Sequence, residues 1–132
     1  MRVLQALYAW ELTDSAQLPR TAKRLWDDLA VGSDERELAM PLIDTLDAHI
    51  DMIDAEIAAG ATNWRLERLG VIERSVLRFA LAELLRGDTP PKAVMQEAVL
   101  LAERFGSSQS ARFVNGVLDA LARRMGKLGT PR

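Results

Sequence analysis

The sequence contains no cysteine, a single histidine and few aromatic residues, which make up 5% of its 132 positions. The absence of cysteine excludes disulfides, thiolate metal sites and cysteine nucleophiles. Because strands favour aromatic and β-branched residues, a chain dominated by leucine and alanine is expected to form helices. No segment alternates strictly between apolar and polar positions, and no repeat of fixed period is evident. The sequence therefore predicts an all-α fold.

The sequence also lacks a secretory signal and any apolar run long enough to cross a bilayer. We therefore expect a cytoplasmic protein that does not contact membranes, with a length suited to one domain. The net charge of −2 conceals an asymmetry. Residues 1–60 carry 5 basic and 12 acidic residues, whereas residues 61–132 carry 12 basic and 7 acidic ones. Halves of opposite charge suggest two faces with different partners.

Several kinds of catalytic and metal-binding site are missing. The single histidine, His49, is expected to be a solvated helix residue rather than a general base. Nearby acidic residues lack the alternating ligands and turn glycine of a calcium loop; they are Asp44, Asp47, Asp51 and Asp54. There is no glycine-rich phosphate loop and no serine in a nucleophile elbow. We expect a non-enzymatic binding protein without a cofactor or metal.

Helical spacing of apolar residues predicts about seven helices in two small packed bundles. The predicted segments are residues 1–13, 21–29, 34–59, 63–69 (a connector or single turn), 73–86, 91–105 and 108–124. The break after Gly60 divides one domain, residues 1–132, into an N-terminal half, residues 1–60, and a C-terminal half, residues 61–126. A frayed tail, residues 127–132, follows.

Two predicted helices carry apolar stripes with specific members. In the third helix the stripe comprises Leu38, Leu42, Leu46, Ile50, Ile53 and Ile57. Ser33 or Asp34 is expected to cap this helix, and Pro41 either kinks it or marks its first turn. The stripe of the helix after Pro91 comprises Val94, Ala98, Leu101 and Phe105.

Residues 110–119 organise the C-terminal half of the chain. Apolar residues at helical spacing predict a buried face; they are Phe113, Val114, Val117, Leu118 and Leu121. The opposite side forms a polar edge of Arg112, Asn115, Asp119 and Arg123. Gly116 lies mid-helix, where glycine costs about 1 kcal/mol relative to alanine. A close backbone approach by another helix or by a partner would compensate for it.

Arginines are frequent in the basic half, namely Arg65, Arg68, Arg74, Arg78, Arg104, Arg112, Arg123 and Arg124. A guanidinium group binds phosphate and stacks on bases, so this set is compatible with an RNA-binding surface. Alternatively, the arginines pair with the glutamates of the same half, namely Glu67, Glu73, Glu83, Glu97 and Glu103. The sequence leaves both interpretations open.

Four sequence blocks, spanning nearly the whole chain, carry a family resemblance. They are Leu-Gln-Ala-Leu-Tyr at residues 4–8 with Trp10; residues 63–69 continuing through 74–80 and 83–84; residues 91–94, 97–98 and 105–106; and Arg-Phe-Val-Asn-Gly-Val-Leu-Asp at residues 112–119. In this order they resemble the NusB transcription antitermination family, and the last block is the most specific.

The resemblance implies an all-helical, non-enzymatic transcription factor. Such proteins bind the boxA element of ribosomal RNA leaders together with NusE, a ribosomal protein of the small subunit. Their complex helps RNA polymerase read through terminators. By similarity, the RNA-binding residues would be Arg2, Gln5, Gln109, Arg112 and Phe113. The residues that contact NusE would include Tyr8 and Glu73.

Each of these residues also has a purely structural interpretation. Tyr8 would anchor the first helix, and Glu73 would interact with a helix dipole. Phe113 would belong to the core, with Arg112 as its solvated neighbour.

The chain departs from the family pattern in two places. Members usually begin with an arginine-rich arm, whereas only Arg2 precedes Val3 here. We expect either a true start upstream or weak RNA binding that depends on NusE. Ala82 replaces a more usual aromatic residue, which is a packing change.

Two other functions stay open: a detached module related to the regulatory domain of ribosomal RNA cytosine methyltransferases, and a helical module that forms homodimers.

Overall fold

The computed structural model describes residues 1–13, 17–61 and 69–126. Six helices follow one another in these ranges: α1 (Arg2–Glu11), α2 (Leu18–Asp28), α3 (Ser33–Gly60), α4 (Val71–Arg86), α5 (Pro91–Phe105) and α6 (Ser108–Arg124). The predicted all-α fold is confirmed, and the helix number is close to the predicted seven. The predicted connector at residues 63–69 falls almost wholly outside the described residues, as does the predicted tail. None of these helices is long and apolar enough to span a bilayer.

Helix α4 is the centre of the fold. It packs against α1, α3, α5 and α6, and every residue from Ser75 to Ala82 is buried. Because this stretch has no solvent face, its residues are apolar apart from Ser75 and Arg78. The helix ends at Gly87, whose φ of 72° is the left-handed conformation that favours glycine at a helix C-terminus.

Helices α5 and α6 pack against each other along the C-terminal half. Pro91 occupies the first turn of α5, where its missing N–H group costs no hydrogen bond. Helix α6 starts after Ser107, whose Oγ accepts a hydrogen bond from the Ser110 N–H at 3.1 Å. The predicted apolar face of α6 is confirmed for Val114, Val117, Leu118 and Leu121, which are buried, while Phe113 is half-buried.

Buried residues from all six helices form a single hydrophobic cluster. Large side chains such as Trp26, Phe79 and Leu118 are almost fully enclosed within it. Burial of a side chain of this kind stabilises the fold by about 1.5–3 kcal/mol. The two halves of the described chain therefore share one core, while their division after Gly60 stays a prediction.

Helix α3 differs from its prediction at its start. It begins at Ser33 with Gly32 as its N-cap, so the predicted capping by Ser33 or Asp34 is wrong. Pro41 lies inside the helix rather than in its first turn. The departure from helical backbone angles falls at His49 instead, with φ −126° and ψ 20°.

The apolar stripe of α3 is also shifted. Leu38 is 81% exposed, whereas Ala39 and Ile43, which lie outside the predicted stripe, are buried. Helix α2 packs against α3, and at the start of α3 the buried face is turned by about one residue from the predicted face. From Leu46 onward the predicted stripe holds, because Leu46, Ile53 and Ile57 are buried.

Two helix ends in the described chain also differ from the sequence prediction. Helix α2 begins earlier than predicted, at Leu18, because Pro19 is tolerated in a first helical turn. Phe105 was predicted to be buried, but it is 45% exposed. As the last residue of α5 it extends past the core, and its ring borders a surface groove beside Tyr8.

Candidate functional site

The two arginines of α4 lie inside the fold. Arg78 is only 6% exposed and donates to both carboxylate oxygens of Asp54, with Nε–Oδ1 at 2.8 Å and Nη2–Oδ2 at 2.9 Å. Its Nη1 also donates to Oε1 of Glu11 at 2.8 Å, and Nε of Arg74 donates to the same oxygen. The Arg78 guanidinium lies 5.2 Å from the ring centre of Trp10, within cation–π range. This ion cluster joins α1, α3 and α4.

The ion cluster shifts the pKa of two of its members, Glu11 and Arg78. Burial alone would raise the pKa of Glu11, but the Arg74 hydrogen bond and the positive charges of Arg78 and Arg74 outweigh it and lower that pKa. Burial would likewise lower the pKa of Arg78, yet Asp54 and Glu11 raise it. Glu11 and Arg78 therefore stay charged at neutral pH.

For Arg78 the structure contradicts both interpretations drawn from the sequence. The side chain is neither on the surface nor paired with a glutamate of its own half, because its two carboxylates come from α1 and α3. Asp54 was predicted to lie on a solvated acidic face, but its carboxylate instead pairs with Arg78. Elsewhere, surface arginines pair with other neighbours, as Arg123 does with Asp119 at 3.0 Å and Arg124 with Glu56 at 3.5 Å.

The first turns of α4 and α6 border a polar pocket of about 320 Å³. Its lining residues are Leu69, Gly70, Glu73, Ser107, Gln109, Ser110 and Phe113. Gln109 is exposed and Phe113 is half-buried. The pocket thus brings together two predicted RNA-binding residues and Glu73, a residue predicted to contact a partner protein.

Glu73 is held in this polar pocket by its surroundings. The Ser110 hydroxyl donates to Oε2 of Glu73 at 2.5 Å. Gly70 lies on the other side, and a Cβ atom there would be 2.1 Å from Oε1 of Glu73. The carboxylate therefore folds back over the N-terminus of α4, where the helix dipole favours a negative charge.

A second depression, the apolar groove, runs beside α1. It has a volume of about 360 Å³ and is lined by Met1, Leu4, Gln5, Tyr8, Ala9, Leu25, Leu29, Ile72 and Phe105. Tyr8 is 42% exposed and Leu29 is 48% exposed. Large apolar groups that remain exposed side by side are typical of interaction surfaces. Ile72 lines this groove and Glu73 lines the polar pocket, so both depressions border the first turn of α4.

Arg112 lies on the other flank of α6. It is exposed and borders an open groove between α5 and α6 with Lys92, Gln96 and Leu100. Within the described chain its guanidinium forms no ion pair or hydrogen bond. Gly116 is exposed on the same helix, and apart from its chain neighbours and its own helix backbone no described atom lies within 4 Å of where its Cβ would be. The close approach predicted at this glycine is therefore not made by the described chain itself.

Arg2 and Gln5 form a third group at the start of α1. Arg2 donates to Oε2 of Glu35 at 2.9 Å and to Oε1 of Gln5 at 3.2 Å. The hydrogen bond and positive charge of Arg2 lower the pKa of Glu35. The predicted RNA-binding residues thus border three different depressions or surfaces, rather than one continuous site.

Sequence reasoning missed Ser110, Gly70 and Phe105 as members of these surfaces. Ser110 follows the cap residue Ser107 by three positions, a spacing that places both hydroxyls at one helix end. That spacing was available in the sequence. The contact of Ser110 with a residue of α4 was not, because it joins positions 37 residues apart.

Comparison with known proteins identifies the family. The NusB family model matches residues 2–123. The chain belongs to the NusB family. The transcription antitermination protein NusB of Nitratiruptor sp. is 37% identical over 121 residues, covering 92% of this chain and 86% of the relative. That of Anaeromyxobacter dehalogenans is 40% identical over 122 residues, covering 92% and 85%. The prediction of a non-enzymatic transcription antitermination factor is thereby confirmed. The methyltransferase-related alternative is not favoured.

Solved structures of NusB-family proteins have the same fold. NusB of T. maritima superposes with a TM-score of 0.84 at 33% identity, covering 92% of this chain and 86% of that one. A chain in the crystal structure of the antitermination factors NusB and NusE in complex with double-stranded RNA gives a TM-score of 0.83 at 30% identity. That match covers 93% and 92% of the two chains.

Proposed function

We propose that this NusB-family protein binds boxA-type RNA of ribosomal RNA leaders together with NusE, and that the complex promotes read-through by RNA polymerase. A related chain crystallised with NusE and double-stranded RNA supports the choice of partners. One observation carries the proposal. The first turns of α6 present Gln109, Arg112 and Phe113, and the first turn contains no acidic residue.

The chemistry at the start of α6 suits an RNA strand. Free N–H groups and the positive end of a helix dipole favour phosphate. Arg112 supplies a planar donor without a described partner. Gln109 offers an exposed amide, and Phe113 is half-buried, so one part of its ring packs in the core while another part borders the pocket. Aromatic rings of this kind stack on unpaired bases.

The apolar groove and Glu73 suit a protein partner. Tyr8, Leu29 and Phe105 offer an exposed apolar surface, and aromatic residues are enriched where proteins meet. Glu73 adds a carboxylate at the end of this surface. NusE is expected to insert an apolar side chain into the groove and to place a basic group against Glu73.

Arg2 and Gln5 are assigned a smaller part in RNA binding. Arg2 is already paired with Glu35, so a phosphate contact has to replace an existing ion pair. Its net contribution is therefore expected to be small.

The cytoplasmic location and a contact with RNA polymerase within the antitermination complex belong to the same proposal. Homodimer formation through the apolar groove would compete with NusE for the same surface, so it is the alternative for this groove. Light scattering over a concentration series tests the homodimer.

RNA-binding measurements test the main proposal. Fluorescence anisotropy compares boxA-type RNA with a scrambled RNA, with and without NusE. Loss of one stacked base contact costs about 1–3 kcal/mol, so Phe113→Ala is expected to weaken binding about tenfold, with Arg112→Ala acting in the same direction. Arg123→Ala is the matched control, since Arg123 is exposed on the same helix but paired with Asp119. If the mixture with NusE shows no preference for boxA-type RNA, the proposal is wrong.

A further inference from the structure

A short chain of hydrogen bonds joins the first turns of α6 and α4. The Ser107 and Ser110 hydroxyl oxygens are 3.1 Å apart, and Ser107 Oγ also accepts from the Ser110 N–H at 3.1 Å. Because an ionised carboxylate only accepts hydrogen bonds, the Ser110 proton must point to Glu73. Ser107 can then donate its own proton to Ser110 Oγ, so the hydrogen bonds run from Ser107 through Ser110 to Glu73.

Two glycines leave room for this arrangement. A Cβ at Gly70 would lie 2.1 Å from Oε1 of Glu73, and a Cβ at Gly106 would lie 2.7 Å from Oγ of Ser110. Neither position has a positive φ, since φ is −63° at Gly70 and −118° at Gly106. A Cβ at Gly106 would also lie 2.8 Å from the Ala102 carbonyl oxygen, whereas a Cβ at Gly70 would meet only the flexible end of Glu73. The two glycines thus leave the space in which the Glu73–Ser110 contact forms.

We propose that Ser110 is a positioning residue that couples RNA binding to NusE binding by holding the Glu73 carboxylate in the polar pocket. This inference rests on the proposed function. The hydroxyl fixes a negative charge beside Gln109 and Phe113, where the RNA strand is placed. A basic group of NusE that pairs with Glu73 neutralises this charge, so RNA phosphates are no longer repelled. By linkage, bound RNA strengthens NusE binding by the same factor.

The two states of this coupling differ in one contact. With the hydroxyl present, Oε2 of Glu73 is held toward α6, and its charge acts on the RNA surface. Without the hydroxyl, the carboxylate can rotate toward solvent, where water screens its charge. NusE and RNA would then bind almost independently. Removal of the hydroxyl should therefore leave RNA binding by the protein alone unchanged or slightly stronger.

The experiment measures a coupling factor, the ratio of RNA dissociation constants without and with saturating NusE. Coupling factors in proteins are typically about 5 to 150, and we expect a value in this range for the wild type. Ser110→Ala is expected to reduce the factor to within about twofold of one. Ser110→Thr keeps the hydroxyl and should retain the coupling. Ser108→Ala, an exposed serine of the same turn, is the matched control.

Two further variants address Glu73 directly. Gly70→Ala places a methyl group where the carboxylate lies and should reproduce the loss of coupling, even if Ser110→Ala folds poorly. Glu73→Gln removes the charge and should strengthen RNA binding by the protein alone while abolishing the coupling. Thermal melts establish that each variant is folded.

The outcomes separate this inference from the proposed function. A wild-type coupling factor of one, or no preference for boxA-type RNA, refutes the proposed function. If the wild type couples and Ser110→Ala retains the full factor, Ser110 does not couple the sites and the inference is wrong. If Ser110 had a purely structural role, Ser110→Ala would weaken RNA and NusE binding without changing the coupling factor. That result would also refute the inference.

Discussion

Replacement of Arg78 by alanine tests whether the ion cluster holds the helices together. In the wild type the guanidinium satisfies both oxygens of Asp54 and one oxygen of Glu11. The variant leaves Asp54, whose side chain is 24% exposed, without this cation, while Glu11 keeps its contact with Arg74. Breaking a buried ion pair by removing one partner costs about 3–5 kcal/mol. Because domains are stable by only about 5–15 kcal/mol, this is a large fraction of the total.

The free energy of unfolding is measured by urea titration followed by circular dichroism. Arg78→Ala is expected to lower it by about 3–5 kcal/mol, which corresponds to a fall of roughly 10–15 °C in melting temperature for a domain of this size. Arg78→Lys should recover little, because an ammonium group cannot reproduce the two-pronged contact with Asp54. Arg123→Ala removes an exposed pair on α6 and should cost less than about 0.5 kcal/mol.

A double-variant comparison separates the ion pair from the loss of packing. Asp54→Ala combined with Arg78→Ala should cost less than the sum of the two single variants, since no unpaired charge remains. If Arg78→Ala lowers the free energy of unfolding by less than about 1 kcal/mol, water must hydrate the unpaired carboxylate of Asp54 at little cost. The interpretation of the cluster as a buried clamp would then be refuted.

Three further outcomes are expected. Because the pKa of Glu11 is lowered in the folded protein, the ionised carboxylate stabilises the fold fully above the ordinary glutamate pKa of about 4.3. This stabilisation is lost as the pH falls through the lowered pKa. Glu11→Gln should therefore make the urea midpoint less dependent on pH in the acid range. Burial and the charge of Glu97 raise the pKa of Glu83. Glu83→Gln should therefore raise the free energy of unfolding at pH 7 by less than about 1 kcal/mol in urea titrations, with no gain below about pH 4. Gly116→Ala should stabilise α6 by about 0.5–1 kcal/mol in urea titrations, because its Cβ meets no described atom; a loss would reveal crowding there.

The sequence predicted the helices and the buried face of α6 because helical periodicity reports burial directly. Val117 and Leu121 repeat at the period of the helix, so their common face could be inferred without any knowledge of the neighbours. The same inference failed for Leu38 and Phe105, which lie near helix ends. There the period continues, but no other helix covers the side chain.

The ion cluster could not be predicted from local sequence. Arg78 meets partners 24 and 67 residues away, so the choice depends on how α1 and α3 are placed around α4. Arg74 and Arg78 are four residues apart, so their spacing alone places them on one side of a helix. Whether that side faces solvent or the core is decided by tertiary packing.

The candidate site was likewise predictable where it depends on local spacing, and not where it depends on tertiary packing. That Gln109, Arg112 and Phe113 lie close together on one helix follows from their spacing. Successive helix residues point in directions about 100° apart, so Arg112 and Phe113 border different depressions, one facing α5 and one facing α4. The link between Ser110 and Glu73 depends on that arrangement and had no sequence signal of its own.

The charge inventory of α6 limits how RNA can be bound there. Arg123 and Arg124 are engaged by Asp119 and Glu56, so Arg112 is the basic residue of this helix that has no described ion pair. With Lys92 across the groove, this surface neutralises one or two phosphates. Each neutralised phosphate of a single strand contributes about −0.7 to the slope of log affinity against log salt. The protein alone should therefore show a shallow slope of about −0.7 to −1.4, and NusE must supply any steeper dependence. A slope near −4 without NusE would mean that further cations bind the RNA, as when Arg2 exchanges Glu35 for phosphate.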